Sequence, residues 1–266
     1  MDSLFRCPLC KGRLIGEERR YFCLQGHSFD LSRAGYVNLL TGKDGGVHGD
    51  NKEMIRARRD FLEEGHYLPL REALCDILKE NAPDTLLDVG CGEGWYTEGM
   101  CASLGQARVC GIDISKDALS YAGKRLKGRA QLAVASAYEL PFDDGSFDAL
   151  TLLFSPFAQE ELKRVLKKDG LFFMAIPGKR HLWQLKSLLY DTPYENKVAD
   201  FTLAGFDLFE ERHIVFERTF CGTALQNLFA MTPYYYRTPM AGRLRAAETK
   251  ELTVGMEFHL LGYRRT

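Results

Sequence analysis

The sequence predicts an α/β domain preceded by a small N-terminal zinc-binding domain, and three observations predict it. The run from Thr85 to Val89 reads as a buried strand, ends in a glycine-rich turn, and passes into a helical pattern. Later apolar runs alternate with helical stretches towards the C-terminus, the order of an open α/β sheet. Near the other end Cys7, Cys10, Cys23 and His27 fall in a C-x2-C-x12-C-x3-H spacing. A chain of 266 residues has room for one substantial domain and one accessory piece. The expected division is a metal module over 1–40, a loop and connecting helices over 41–83, and the main domain over 84–266.

Composition bounds the function. Apolar residues make up 45% and charged residues 27%, enough for a core and a hydrated surface. No run approaches the roughly 20 apolar residues that cross a bilayer, and the start MDSLFRCPLCKG lacks an export pattern. A cytoplasmic protein with no membrane partner is expected. The net charge of -1 neither favours nor forbids nucleic acid, whose footprint would be a local basic patch. Of eight cysteines, Cys75, Cys91, Cys101, Cys110 and Cys221 are scattered and read as small apolar residues rather than disulfide partners.

In the opening segment, two residues between Cys7 and Cys10 let one tight knuckle aim both sulfurs at an ion. Gln25-Gly26 offers a turn for Cys23 and His27. Three sulfurs and one nitrogen suit closed, structural zinc. The stretch between the pairs, RLIGEERRYFC, reads as a short hairpin with too little core to hold itself, so the ion would supply folding energy.

Residues 41–51, TGKDGGVHGDN, read as a glycine-rich loop in which His48 is expected to be exposed. Helical spacing resumes near Asn51 with Met54, Ile55, Arg58, Phe61 and Leu62, and Gly65 suits the position just past the helix end. A second stripe, Tyr67, Leu70, Leu74, Ile77 and Leu78, stops near Pro83. Arg56, Arg58 and Arg59, with Arg19, Arg20 and Lys43, can meet RNA phosphates. With Glu53, Asp60, Glu63 and Glu64 beside them, they can equally form a solvated helix face.

The turn itself reads Asp88-x-Gly90-x-Gly92-Glu93-Gly94, with helix signals from Glu93 onward. Glycines there permit a sharp turn and close approach of a ligand, although dinucleotide-binding turns begin similarly. A second strand, RVCGID, ends in Asp113, whose carboxylate has acceptor capacity for two hydroxyls. LAVASAYELPFDDGSFDAL follows, with Ser136 near its start. The D-x-G-x-G-x-G form resembles motif I of class I S-adenosylmethionine methyltransferases. That resemblance implies a Rossmann-like seven-stranded sheet whose last strand is antiparallel. It also implies a loop around the cofactor's methionine portion, an acid at Asp113 for the ribose, and Ser136 beside the adenine.

A wider pattern narrows the family. CPLC, the Cys23 and His27 pair, GYVNLL, ARRDFLEEGHYLPLR, LLDVGCGEGWYT, GIDISKDAL, LPFDDGSFDAL and PGKRHLWQLK closely resemble the RlmA family over nearly the whole chain. The resemblance implies methyl transfer to guanine N1 in 23S ribosomal RNA, a homodimer, and no DNA partner. It places Tyr67, Gly92, Glu93 and His181 at the cofactor. Read from the residues alone, Tyr67 can instead be a packing aromatic and His181 a locally bonded helix-start residue. His66, His213 and His259 read as surface or core-edge residues. Where many amino-group methyltransferases carry an Asn/Asp-Pro-Pro-aromatic clamp, this chain has LLFSPFAQEEL. Phe154 or Phe157 can stack on the guanine there, or close the core. The same loop leans towards the RlmA(II) branch, which is linked to macrolide tolerance. No catalytic base is identified, with Glu93, His181 and Glu160 as candidates for the N1 proton.

Towards the C-terminus, MTPYYYRTPMAGRLR is aromatic and basic. Tyr234, Tyr235, Tyr236, Arg237, Arg243 and Arg245 can line an RNA cleft, or the segment can form a dimer seam. A small-molecule methyltransferase would need neither the zinc module nor the basic approach. A noncatalytic RNA-binding protein would not need the intact turn from Asp88 to Gly94.

Overall fold

The computed structural model describes residues 3–41, 50–198 and 200–266. Lys43 and His48 lie outside the described residues. The N-terminal segment forms an antiparallel sheet of β1 (Ile15–Gly16), β2 (Arg20–Phe22) and β3 (Ser28–Asp30). The hairpin expected between the two ligand pairs is thus present, with Ile15 opposite Phe22. β4 (Tyr36–Asn38) follows and leaves this sheet.

Two helices approach the main domain. In α1 (Lys52–Glu63), the Asn51 side chain accepts the Met54 N–H at 2.9 Å, and Gly65 beyond the far end is left-handed at φ 75°. α2 (Leu68–Asn81) ends on left-handed Ala82, just before Pro83. The chain then continues through β5 (Thr85–Val89), α3 (Trp95–Leu104), β6 (Arg108–Asp113), α4 (Lys116–Leu126), β7 (Ala130–Val134) and β8 (Phe147–Leu153). It proceeds through α5 (Gln159–Val165), β9 (Leu166–Pro177), α6 (Trp183–Leu189), β10 (Phe206–Cys221) and α7 (Gly222–Ala230). The last elements are α8 (Tyr234–Arg237), α9 (Met240–Glu248) and β11 (Glu251–Arg265). The helix after the glycine turn therefore starts at Trp95, two residues later than its sequence signals suggest, because Gly94 is left-handed at φ 78°.

The main sheet has the order β10-β11-β9-β8-β5-β6-β7-β4, and β11 alone runs opposite to the other strands. Seven of these strands are the ones the sequence leads to expect. The eighth is β4, which lies parallel to β7 with Tyr36 opposite Leu132. It covers the otherwise bare edge of β7 and buries Val37 completely. The segment read as an accessory module thus contributes to the principal sheet.

Two apolar layers flank the sheet. One joins Phe61, Leu70, Leu74, Trp95 and Phe258. The other joins Phe147, Phe172 and Tyr263 to Phe5, Leu14 and Tyr21 from the N-terminal segment. Phe5 forms an antiparallel bridge with Phe142, their rings 5.4 Å apart, and the Arg6 N–H donates to Pro141 O at 2.8 Å. Full burial of such a ring contributes about 1.5–3 kcal/mol. Among the described residues no helix is long and apolar enough to cross a membrane.

Candidate active site

The C-terminal ends of the parallel strands form one rim, where open α/β sheets bind ligands. At its centre the β5–α3 turn folds back so that the N–H groups of Gly90 and Cys91 both donate to Ile112 O at 2.9 Å. Gly90, Gly92 and Gly94 all have positive φ. Gly90 is also close-packed, because a Cβ there would lie 2.5 Å from Ser155 Cβ.

Asp88 sits beneath this turn, buried. Its Oδ2 accepts the Thr97 hydroxyl at 2.6 Å and its Oδ1 accepts the Thr151 hydroxyl at 2.9 Å. It therefore ties β5 to α3 and β8, and burial pushes its carboxyl up to about 6. Asp113 lies at the tip of β6, where its Oδ2 accepts the Gly92 N–H at 2.9 Å and its Oδ1 the Ser115 N–H at 2.8 Å. Burial raises its pKa, while these two N–H groups oppose the shift. One lone pair on each oxygen remains for a ligand's hydroxyl groups.

Glu93 is buried and pairs with Arg58, whose Nε lies 3.0 Å from Glu93 Oε2. Arg58 also pairs with Asp50. This corrects the reading of Arg58 as a residue facing RNA or solvent: α1 turns it inward, where it neutralises an acid of the turn. Arg59 is likewise engaged, by Asp60 and over the Tyr121 ring, while Arg56 stays exposed.

His181 and Tyr67 form a second, adjoining group. His181 Nδ1 accepts the Glu257 N–H at 3.2 Å, and its Nε2 lies 3.5 Å from the Tyr67 hydroxyl. Burial, aided by the charge on Lys186, pushes His181 down to about 3, so the ring is neutral and a poor proton acceptor. Tyr67 packs edge-on against Phe61 and Phe258. Ser136 stands further along the rim, next to Ala135, whose N–H donates to Asp113 O at 3.1 Å. Its hydroxyl accepts the Tyr138 N–H at 3.2 Å. Ser136 also lines a cavity of about 290 Å³ shared with Cys7, Lys11 and Glu139.

Tyr96 has no counterpart in the sequence reading. Among the described residues its buried hydroxyl has no hydrogen-bond partner, and it lies within electrostatic reach of Tyr67, Glu93, Arg71 and Arg58. A buried hydroxyl left unpaired costs stability, so this atom suits a polar ligand lying along the turn. Its place in WYT after the last glycine was the available signal. The two aromatics after β8 differ: Phe154 is 49% exposed and left-handed at φ 57°, whereas Phe157 stacks on buried Phe172 at 6.0 Å.

The four expected metal ligands converge. Cys7 Sγ lies 3.5 Å and Cys23 Sγ 3.4 Å from His27 Nδ1, and Cys10 Sγ lies 3.6 Å from Cys23 Sγ. Ligands around one tetrahedral zinc are separated by roughly 3.4–3.8 Å, so this donor set fits the ion without rearrangement.

A β-strand entering an acid-led triple-glycine turn, a neighbouring strand tipped by an acid bonded to that turn, and a closing antiparallel strand define a class I S-adenosylmethionine-dependent methyltransferase. Residues 86–170 match a family model described as a methyltransferase domain, and residues 5–43 match one described as RlmA, N-terminal. The chain is 33% identical to YxjB of Bacillus subtilis (strain 168), provisionally named a 23S rRNA (guanine-N(1)-)-methyltransferase, over 98% of both chains. It is 34% identical to the 23S rRNA (guanine(748)-N(1))-methyltransferase of Streptomyces fradiae, over 69% of this chain and 67% of that one. The chain belongs to the RlmA family.

Proposed function

We propose that this protein transfers the methyl group of S-adenosylmethionine to N1 of a guanine in a hairpin loop of 23S ribosomal RNA. The observation that carries the reading is the similarity across 98% of the chain to a protein provisionally named a 23S rRNA methyltransferase, joined by the 34% identity over 69% of the chain to one named so outright. The cofactor supplies an electrophilic methyl group. Asp113 would accept the ribose hydroxyls, the loop from Gly90 through Glu93 to Gly94 would hold the methionine portion, and Asp88 holds that loop from below. The Tyr96 hydroxyl would be free to donate to a polar group of the cofactor, Tyr67 and His181 would wall the pocket, and Ser136 would border the adenine. Phe154, held outward, offers a face on which the guanine stacks. With His181 neutral, Glu93 paired to Arg58 and Glu160 exposed on the first turn of α5, this reading assigns no catalytic base. The N1 proton would pass to water as the methyl group leaves sulfur and S-adenosylhomocysteine departs, and positioning supplies the main rate gain.

In the same reading, residues 1–40 recognise RNA around one structural zinc held by Cys7, Cys10, Cys23 and His27. Residues 41–83 connect them to the catalytic domain over 84–266. A cytoplasmic homodimer is part of the reading, supported by exposed Tyr236, Met240 and Leu244 on α8 and α9. Macrolide tolerance would follow from methylation by an enzyme of the RlmA(II) branch.

The test is incubation with labelled cofactor and deproteinised 23S RNA, followed by mapping of the methylated base. Transfer to one guanine N1, lost in Asp113→Ala, is the expected result. Absence of saturable cofactor binding by folded, zinc-loaded protein would remove the central claim, and transfer to a small metabolite instead of RNA would remove the substrate.

A further inference from the structure

Among the described residues, metal-ligating side chains gather within 4.8 Å of one another at two places. The first is the cysteine-rich cluster. The second is His213, Glu257 and His259, at the opposite end of the sheet. His213 on β10 and His259 on β11 are directly paired across the ladder, with rings parallel to within 4° and centroids 4.5 Å apart. Glu257 precedes His259 by two residues and so leaves the same face of β11. Its Oε1 lies 3.1 Å from His213 Nε2.

A fourth side chain orients the group. Glu211 Oε1 lies 3.0 Å from His259 Nδ1. A carboxylate there keeps the proton on Nδ1 and leaves the Nε2 lone pair available, as outer carboxylates do for metal-binding histidines. Phe201 packs against His259 at 5.1 Å and closes one side. The His213 side chain is 49% exposed, which leaves the other side open to water and to an arriving ion.

We propose that His213, Glu257 and His259 form a second metal site, for a divalent transition metal such as zinc, cobalt or nickel. Two imidazole nitrogens and one carboxylate suit these borderline ions, whereas magnesium and calcium prefer all-oxygen shells. Water completes the coordination. The site is also built into the rim. Glu257 Oε2 accepts the Arg180 N–H at 2.6 Å, its main-chain N–H holds His181 Nδ1, and its carbonyl accepts the Gly178 N–H at 2.7 Å. A metal bound at Oε1 therefore fixes the residue on which the loop from Gly178 to His181 hangs. None of this depends on the substrate assigned above.

The full chain, with its cysteine site already loaded, is titrated with zinc by calorimetry and with cobalt by absorption. One further equivalent should bind, without competition from magnesium, and slow exchange of the Arg180 amide. His213→Ala with His259→Ala should abolish that equivalent but keep the first zinc, and Glu211→Gln should weaken it about tenfold. Failure of the wild type to take a second equivalent, or equal uptake by the double variant, overturns the proposal. Should the double variant not fold, cobalt added to the wild type decides the matter. Large paramagnetic shifts of both histidine rings support the site, and unmoved rings overturn it.

Discussion

Gly90→Ala measures how tightly the glycine turn is built. The added methyl group meets two separate penalties. At φ 77° an L-residue is left-handed, which costs about 1–2 kcal/mol. The new Cβ also falls 2.5 Å from Ser155 Cβ and closer still to its hydroxyl, an overpacking worth about 1–3 kcal/mol. The turn cannot swing away cheaply, because Gly90 and Cys91 both bond to Ile112 O. The single variant should therefore lose about 2–5 kcal/mol. Ser155→Gly in the same chain removes the collision, since Ser155 Cα is 3.9 Å from the added carbon, and leaves the backbone penalty. Urea unfolding of the four proteins of this cycle gives the coupling energy, expected at about 1–3 kcal/mol. A coupling under about 0.5 kcal/mol, the usual error of additivity, would refute the close packing of Ser155 over the turn.

Three further outcomes are expected. His181 has a folded pKa of about 3 against an ordinary 6.5, so the unfolded state binds its proton first and stability from this group falls as pH drops through that interval. Asp88, raised from 3.8 to about 6, acts oppositely, its contribution being present below 3.8 and lost as pH rises through about 6. In urea titrations between about pH 4 and 6, His181→Gln should therefore shift the slope by up to about 1.4 kcal/mol per pH unit towards greater stability in acid, and identical slopes would exclude a neutral buried ring. Gly123→Ala should destabilise despite a helix-propensity gain of about 1 kcal/mol, because its Cβ would sit 2.7 Å from the Ala34 carbonyl carbon. Faster amide exchange along β4 would report the displaced turn, and unchanged protection would count against the contact. Phe154→Ala, at a half-exposed ring 5.7 Å from Phe258, should cost little stability and lower kcat/KM for RNA by about 5–150-fold, the equivalent of about 1–3 kcal/mol of stacking. Phe157→Ala should do the reverse, and a large stability loss in Phe154→Ala would assign that ring to the core.

What the sequence made legible was local. Asn51 and Gly65 bracket α1 because a side-chain cap and a left-handed stop act within one turn of the helix ends. The acid-led glycine turn and the ligand spacing are equally short-range, since each is fixed by a handful of consecutive backbone angles. The direction of Arg58 was not legible. Helical spacing put it on the apolar stripe, yet its charge suggested solvent, and only the approach of Glu93 from another element resolves the conflict. Nor was the pairing of His213 with His259, because the register of β10 against β11 depends on an irregularity between Leu208 and Glu210. A one-residue slip there would send one imidazole to the other face.

The join between the metal module and the catalytic rim shows the same limit on a larger scale. Cysteine spacing describes a self-contained knuckle, but the knuckle's neighbours are residues of the segment that follows β7. Lys11, left-handed at φ 59°, reaches Glu139 at 2.6 Å, Arg6 reaches Asp143 at 2.9 Å, and Arg164 caps Leu140 O and Phe142 O from α5. The Lys11–Glu139 pair is exposed, so it contributes little on its own. Phe5 and Phe142, both fully buried, carry the join. An apolar join is not weakened by charge screening, and Phe5 lies two residues from Cys7. An ion that fixed Cys7 would therefore also steady the chain from Ser136 to Phe142, because the cysteine module and the rim share one packed layer rather than forming a tethered pair.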